Sequence, residues 1–337
     1  MSLFSSLVHD LRITVKEAQH THDCFFEVDG NGIHLCCVGF MPAPLLFSSL
    51  RHLFHPKNDS RKYETFYCFL KDTDTLVHFL PEQLAKAEGR YIYSCGEGRL
   101  ASSVEFGFFS LYSTEYDETY IWLCQDKHSI DNFISHPLHM EFSWWAQRKG
   151  YTFLHSAAIG TKGNGVLISG AGGSGKSTLS MTALLAGMDF LSDDYLLVKM
   201  EERPVAVRLY STGYLKEDML ARLPEYKKGV FWSSRERDKS LVRLESFGSQ
   251  IVDSLPLYAV IIPHITHAEE PEISRSQDVR KMIPLLSSTS YQNRELKNRD
   301  VFFGMMKLLR NLPAFDFKLT DDIRRNAEYL KEWVGML

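Results

Sequence analysis

The chain lacks the marks of export and of membrane insertion. No stretch approaches the roughly 18 consecutive apolar residues of a membrane span, and residues 1–12 show no basic segment followed by a long apolar core. Cysteine is scarce. Six of 337 residues, Cys24, Cys36, Cys37, Cys68, Cys95 and Cys124, all fall in the first 124, without a C-x-x-C pair or a recognised zinc spacing. Reduced, mostly buried thiols are therefore expected, and adjacent Cys36 and Cys37 would point to opposite faces of a strand, against a shared metal. His20-Thr21-His22 and His264-Ile265-Thr266-His267 have no further ligand at a known spacing. Positive charge is not in excess either: the net charge is −4 and the pI about 6.4. No basic field draws in nucleic acid or an anionic membrane, and an anionic partner must be met locally. The expectation is a cytoplasmic protein with neither kind of partner. Its length and its 44% hydrophobic content suffice for two domains with real cores.

What is present centres on Gly170-Ala171-Gly172-Gly173-Ser174-Gly175-Lys176-Ser177-Thr178, which fits the phosphate-loop pattern G-x-x-x-x-G-K-[ST]. Its flanks match. Gly165-Val166-Leu167-Ile168-Ser169 has strand character, and Leu179, Ala183 and Leu184 recur at helical spacing until Gly187. Glycines let successive backbone N–H groups converge on phosphate oxygens, and the helix N-terminus adds its positive dipole end. Lys176 then serves the β- and γ-phosphates of ATP and the Ser177 hydroxyl serves Mg²⁺.

Taken in order, residues 1–140 read as a strand-rich α+β accessory domain. Short aromatic or β-branched segments run over 24–28, 33–38, 63–69, 91–93 and 120–123, and Asp29-Gly30-Asn31-Gly32 predicts a hairpin between the first two. No catalytic pattern emerges there; presenting a partner, forming a homo-oligomer or covering the neighbouring sheet are its open roles. A helical pattern with Leu138, Phe142, Trp145 and Ala146 on one face leads into residues 141–337, an α/β domain. Within it, the charged stretch from Glu225 to Lys239 loses periodicity and reads as a solvated loop, or a flap beside a phosphate site. The last helix is expected to start at Thr320 as N-cap and to bury Ile323, Ala327, Leu330 and Val334.

A second chemical feature, Ser192-Asp193-Asp194, closes the strand after the loop helix. In a parallel sheet that strand end lies beside the loop, where one carboxylate can hold metal while the other takes the proton of an attacking hydroxyl. The later apolar run Leu257 to Ile262 ends in Pro263-His264 without an acid, which turns weight away from motor and transporter ATPases.

With His155 at a strand end, the loop, the helix to Gly187 and Ser192-Asp193-Asp194, residues 150–200 resemble the HPr kinase/phosphorylase-like serine kinases, whose relatives include lasso-peptide kinases. Histidine, loop lysine and second aspartate stand at the same separations in that family. The resemblance implies an HPr-kinase-like fold with Asp194 as general base, Lys176 and Ser177 on phosphate and Mg²⁺, and His155 as an auxiliary active-site residue; Asp193 is then left as a metal ligand. The family's L-E-x-R-G-x-G signature has no counterpart here, so its second metal-binding glutamate is not carried over. The expected function is an ATP- and Mg²⁺-dependent kinase acting on a hydroxyl, a Ser or Thr of a peptide or small protein. The alternatives are a nucleotide-binding switch or ATPase without an acceptor, and a small-molecule or carboxykinase-like enzyme.

Overall fold

In the computed structural model, residues 2–87, 89–234, 238–277, 306–308 and 310–337 are described. They form two compact units, Met1–Phe142 and Ser143–Leu337.

The first unit opens with a helix that no strand pattern signals, α1 (Leu3–Glu17). The Ser2 hydroxyl caps it by accepting the Ser5 N–H, and Phe4, Leu7, Val8 and Leu11, at helical spacing, are its buried face. Next come β1 (Thr21–Val28) and β2 (Asn31–Val38). They pair antiparallel about Asp29 and Gly30, both at positive φ (46° and 80°), as a two-residue hairpin turn demands. β3 (Tyr63–Lys71), α2 (Thr73–Phe79), α3 (Glu82–Ala85), β4 (Tyr91–Cys95), β5 (Gly98–Ser103), β6 (Phe108–Ser113), β7 (Glu118–Cys124) and α4 (Lys127–Ser135) follow, and α5 (His139–Arg148) carries the chain across the unit boundary. The sheet runs β1-β2-β3-β7-β6-β5-β4, parallel where β3 meets β2 and β7 and antiparallel elsewhere. α1 closes one of its faces: Phe4, Leu7, Val8 and Leu11 join Cys36, Phe69, Tyr120 and Trp122 in a single core. All six cysteines are free.

The second unit holds the glycine loop. Its elements are β8 (Tyr151–His155), β9 (Ala157–Thr161), β10 (Asn164–Ile168), α6 (Lys176–Leu185), β11 (Asp189–Ser192), β12 (Tyr195–Lys199), β13 (Val205–Arg208), β14 (Thr212–Leu215), α7 (Glu217–Arg222), β15 (Val230–Ser234), β16 (Lys239–Arg243), β17 (Ser254–Ile265), β18 (Glu272–Arg275), β19 (Ala314–Leu319) and α8 (Ile323–Val334). Among the described residues the main sheet has nine strands, with β11-β9-β10-β17-β13-β12-β8 as its path and β19, then β18, added beside β17. Strand-to-strand connections outnumber helical crossovers, so the unit is mixed α/β with few helices instead of a regular strand–helix alternation.

Two expectations change here. The strand that carries the aspartates, β11, is not next to the loop strand in a parallel sheet; β9 lies between them and pairs antiparallel with both. The charged stretch after Glu225 is not one irregular loop. After a short 3₁₀ turn (Pro224–Gly229), β15 and β16 pair antiparallel and join β14 in a small sheet, with residues 235–237 outside the described set. Val230-Phe231-Trp232 is an apolar run able to pair with the segment that holds the buried Leu241 and Val242, and the charges fall on either side of β15.

One side of the main sheet buries α6 and α8. Leu179, Met181, Ala183 and Leu184 from α6 meet Ala327, Leu330 and Val334 from α8 over Ile159, Val166, Ile168 and Ile261. The opposite side packs Leu154, Leu167, Leu196, Val260 and Ile262 with Leu308 and Leu312. The N-cap of α8 is Asp322 and not Thr320: its carboxylate accepts the Arg324 and Arg325 N–H groups, both at 3.0 Å. Thr320 instead donates its hydroxyl to Asn326 Oδ1 and to the Asp322 carbonyl, and is spent on holding the preceding turn. No helix among the described residues is long and apolar enough to cross a membrane.

Candidate functional site

The site begins where β10 gives way to α6. Between them the chain turns through residues 169–175, and Gly173 and Gly175 sit at φ 84° and 92°, where any side chain is strained. A Cβ on Gly170 would lie 2.3 Å from Ser174 Oγ, so the loop closes onto its own first glycine. The Ser174 N–H donates to the Ala171 carbonyl at 3.1 Å. Ala171, Gly172 and Gly173 are exposed, with nothing within 4 Å of a Cβ built on Gly172 or Gly173. Gly175 caps α6 with no side-chain hydrogen bond, leaving the N–H groups of the first turn to a ligand or to water. Ser174 Oγ is buried and makes no hydrogen bond with another residue. An open rim, an unsatisfied helix start and an orphaned hydroxyl fit a phosphate chain.

The acids arrive through a corner. β11 ends at Ser192, the chain bends at Asp193-Asp194, and β12 leaves in the other part of the sheet. Ser192 clamps the bend by donating its hydroxyl to the Tyr195 carbonyl at 2.8 Å. A matching corner at Ser156 separates β8 from β9, and its hydroxyl donates to the Ile168 carbonyl at the end of the loop strand, also at 2.8 Å. Because Tyr195 pairs with His155 across β12 and β8, the corners stand side by side and bring His155 against Asp194. His155 Nε2 contacts Asp194 Oδ1, and Lys176 Nζ lies 3.3 Å from the same oxygen. The imidazole also stacks on the Tyr195 ring, with centroids 4.7 Å apart, which fixes its plane. His155, Lys176 and Asp194 therefore meet on one carboxylate oxygen, and all three side chains are largely shielded while still touching solvent.

Asp193 is placed differently. It is 1% exposed, and each of its oxygens already has a protein donor: the Ser180 hydroxyl to Oδ1 at 2.8 Å, and the Tyr214 N–H of β14 to Oδ2 at 2.9 Å. Burial pushes its carboxyl above the ordinary range; the Lys176 charge opposes this, the Asp194 charge reinforces it, and the two hydrogen bonds lower it again. The aspartate thus pins the bend to α6 and to the small sheet, aiming Asp194 outward. Ser180 and Tyr214 escaped the sequence reading. Ser180 follows Ser177 at helical i, i+3 spacing, a signal that was available. Tyr214 contributes only its backbone, which leaves no trace in residue type. Ser177 and Thr178 lie in the half-buried first turn of α6, where the Ser177 carbonyl accepts from Ser180 at 3.1 Å and that of Thr178 from Thr182 at 2.7 Å.

The two C-terminal histidines are engaged elsewhere, His264 with Asp316 and His267 with Asp321, each at 2.7 Å. The strand next to β10 on its other side is β17. Its end, Ile262-Pro263-His264, brings no carboxylate to the loop. The acids come from the opposite direction, across β9.

Chemically, a carboxylate held between an imidazole and an ammonium beside a helix start can accept a proton from a hydroxyl while cationic groups face an anionic donor. No family of known sequences matches the chain, and no curated protein does. Among solved structures, the Hpr(Ser) kinase/phosphatase from Coxiella burnetii is similar over 55% of this chain and 88% of that one, at 16% identity and a TM-score of 0.31.

Proposed function

We propose that the second unit is an ATP-dependent kinase transferring the γ-phosphoryl group to a hydroxyl, in the class of Ser or Thr on a peptide or small protein. The observation that carries this reading is the meeting of His155 and Lys176 on one oxygen of Asp194 beside the residue 170–178 loop. The acceptor class follows the sequence resemblance of residues 150–200 to the HPr-kinase-like serine kinases.

The backbone N–H groups of the loop and of the first turn of α6 bind the phosphates. Lys176 leaves Asp194 for the β- and γ-phosphate oxygens when nucleotide enters, which frees the carboxylate. Asp194 then takes the proton of the acceptor hydroxyl as the acceptor oxygen bonds to the γ-phosphorus and the bond from that phosphorus to the bridging oxygen of ADP breaks. His155, stacked on Tyr195, keeps Asp194 in place during the transfer. Ser177 and Asp193 are the oxygen ligands proposed for Mg²⁺, Asp193 through the lone pairs that its two protein hydrogen bonds leave over. Bound there, the ion offsets charge on the transferring phosphate.

The test is label transfer from γ-labelled ATP to acceptors in a cell extract, with nucleotide and Mg²⁺ affinities measured alongside. Asp194→Asn should keep affinity within a few fold and lose transfer by on the order of 10² to 10⁴. Asp193→Asn should weaken Mg²⁺ affinity while the protein stays folded, because the Ser180 hydroxyl can turn its hydrogen from residue 193 to the Ser177 carbonyl, 3.1 Å away, and accept from the amide N–H instead. Lys176→Ala should abolish productive nucleotide binding. Undiminished transfer by folded Asp194→Asn sinks the base assignment, and slow hydrolysis with no labelled acceptor favours a nucleotide switch.

A further inference from the structure

The first unit contains a constellation that the proposed kinase chemistry leaves unused. On the β1–β2 hairpin, Asp23 stands directly opposite Cys36, and His34 lies two residues from Cys36 on the same strand. A period of two puts the three side chains on one face. Their ligand atoms, a carboxylate oxygen, Nε2 and Sγ, all lie within 4.8 Å of one another, and His34 Nε2 is 2.8 Å from Asp23 Oδ1.

We infer that Asp23, His34 and Cys36 form a binding site for a borderline-soft divalent cation of the Zn²⁺ kind, with a fourth position open to water or an outside ligand. Zn–S, Zn–N and Zn–O bonds of about 2.3, 2.0–2.1 and 2.0–2.2 Å place the donors of a tetrahedral site roughly 3.3–3.8 Å apart. The hairpin supplies three of the four ligands such a site takes, one each of sulfur, nitrogen and oxygen. Reaching that geometry requires the Asp23–His34 pair to open from 2.8 Å by roughly 0.5–1 Å, with the other pairs starting no farther apart than 4.8 Å.

Independent features prepare the site. The His34 ring is stacked on Phe25 with centroids 4.8 Å apart and planes 12° from parallel, and Phe25 is in turn held edge-on by Tyr63 at 5.1 Å. That orientation is set by neighbours, as in sites where outer groups aim the ligating imidazole. Cys36 is buried and has two polar neighbours at its sulfur: Thr21 donates to it and Asp23 accepts from it. A divalent cation takes the place of the Cys36 thiol proton, which leaves to solvent, and offsets the Asp23 charge at the same time. β1 is an edge strand and Asp23 is exposed, so the ion has a path in from solvent.

The choice of metal follows from the donors. A thiolate with an imidazole disfavours Mg²⁺ and Ca²⁺, which take oxygen ligands. The Mg²⁺ proposed at Ser177 and Asp193 therefore does not compete for this position.

The test is titration of the full, reduced chain with Co²⁺ as a spectroscopic substitute for Zn²⁺, with Mg²⁺ in excess throughout to occupy oxygen-ligand sites. One equivalent should produce a sulfur-to-cobalt charge-transfer band, which Zn²⁺ then abolishes, and the apparent affinity should rise with pH because a thiol proton is displaced. Cys36→Ser should lose the band. His34→Gln, whose ring is partly exposed and outside the core, should keep the fold by circular dichroism and weaken Co²⁺ binding by on the order of tenfold or more. Absence of a charge-transfer band in the wild-type chain overturns the proposal, as does a band that survives in Cys36→Ser or is unchanged in folded His34→Gln.

Discussion

Single residues decide most of what the site can do, and the buried acids show how. Asp193 and Asp194 are neighbours in sequence with opposite environments: two protein hydrogen bonds enclose the first, while an imidazole and an ammonium contest the second. Glu141 of the first unit is a third case. It is buried, the Ser110 hydroxyl donates to it, and burial pushes its carboxyl above the ordinary range. A carboxyl raised on folding binds its proton more tightly in the native state than in the unfolded one. Its stabilisation is therefore complete below the ordinary glutamate pKa and is lost as pH rises through the native value. Glu141→Gln keeps an acceptor for Ser110 and removes the titration. The fall in Tm between pH 5 and pH 8 should be smaller in the variant than in wild type. Each 1 kcal/mol of difference moves Tm by about 2–4 °C in a unit of this size, and a change of that order is expected. Equal falls in the two proteins would show that Glu141 does not titrate on unfolding.

At the scale of elements, α8 offers a direct measurement. Its N-cap Asp322 satisfies two backbone donors, so Asp322→Ala should cost about 1 kcal/mol in denaturant unfolding of the second unit. No loss would mean that the helix start is held by other groups. Sequence pointed to the right region and the wrong residue. Thr320 and Asp322 are both capping types, aspartate the better of the two, and the use of the Thr320 hydroxyl on Asn326 leaves the cap to Asp322. The same limit recurs. The hairpin at Asp29-Gly30, the strand before the loop and the helix after it were legible because turn chemistry and periodicity are local. The insertion of β9 between β10 and β11 was not, since it is a pairing between segments with no mark on residue type. β5 and β6 were missed because buried Ser102, Ser103, Ser110 and Ser113 interrupt their apolar pattern. α1 is legible in its Ser2 cap and in Phe4, Leu7, Val8 and Leu11 at helical spacing, signals as local as those of the hairpin. The cation site was half legible: His34-x-Cys36 shares a strand face at period two, yet Asp23 joins it only through the hairpin register.

For the whole molecule, the two units have separate cores and unequal dependence on the C-terminal residues. Removing residues 310–337 takes away β19, the parallel neighbour of β17, together with the Ala327, Leu330 and Val334 contacts over the sheet. The truncated chain should lose protease resistance throughout the second unit and keep a resistant fragment covering roughly the first 140 residues, because the core cluster that α1 closes is built from residues 4–124 alone among the described residues. Uniform resistance along the truncated chain would contradict this. The position of β17 also bears on the order of events during synthesis. It pairs in parallel with β10, roughly 90 residues earlier, and with β19, roughly 50 residues later, and closing chain loops of that size carries an entropic cost that only the finished pairing repays. While the ribosome is still making the segment before β19, β17 presents an apolar strand with an unpaired edge. The nascent second unit is thus a natural client for chaperones, long after the first has left the ribosome folded.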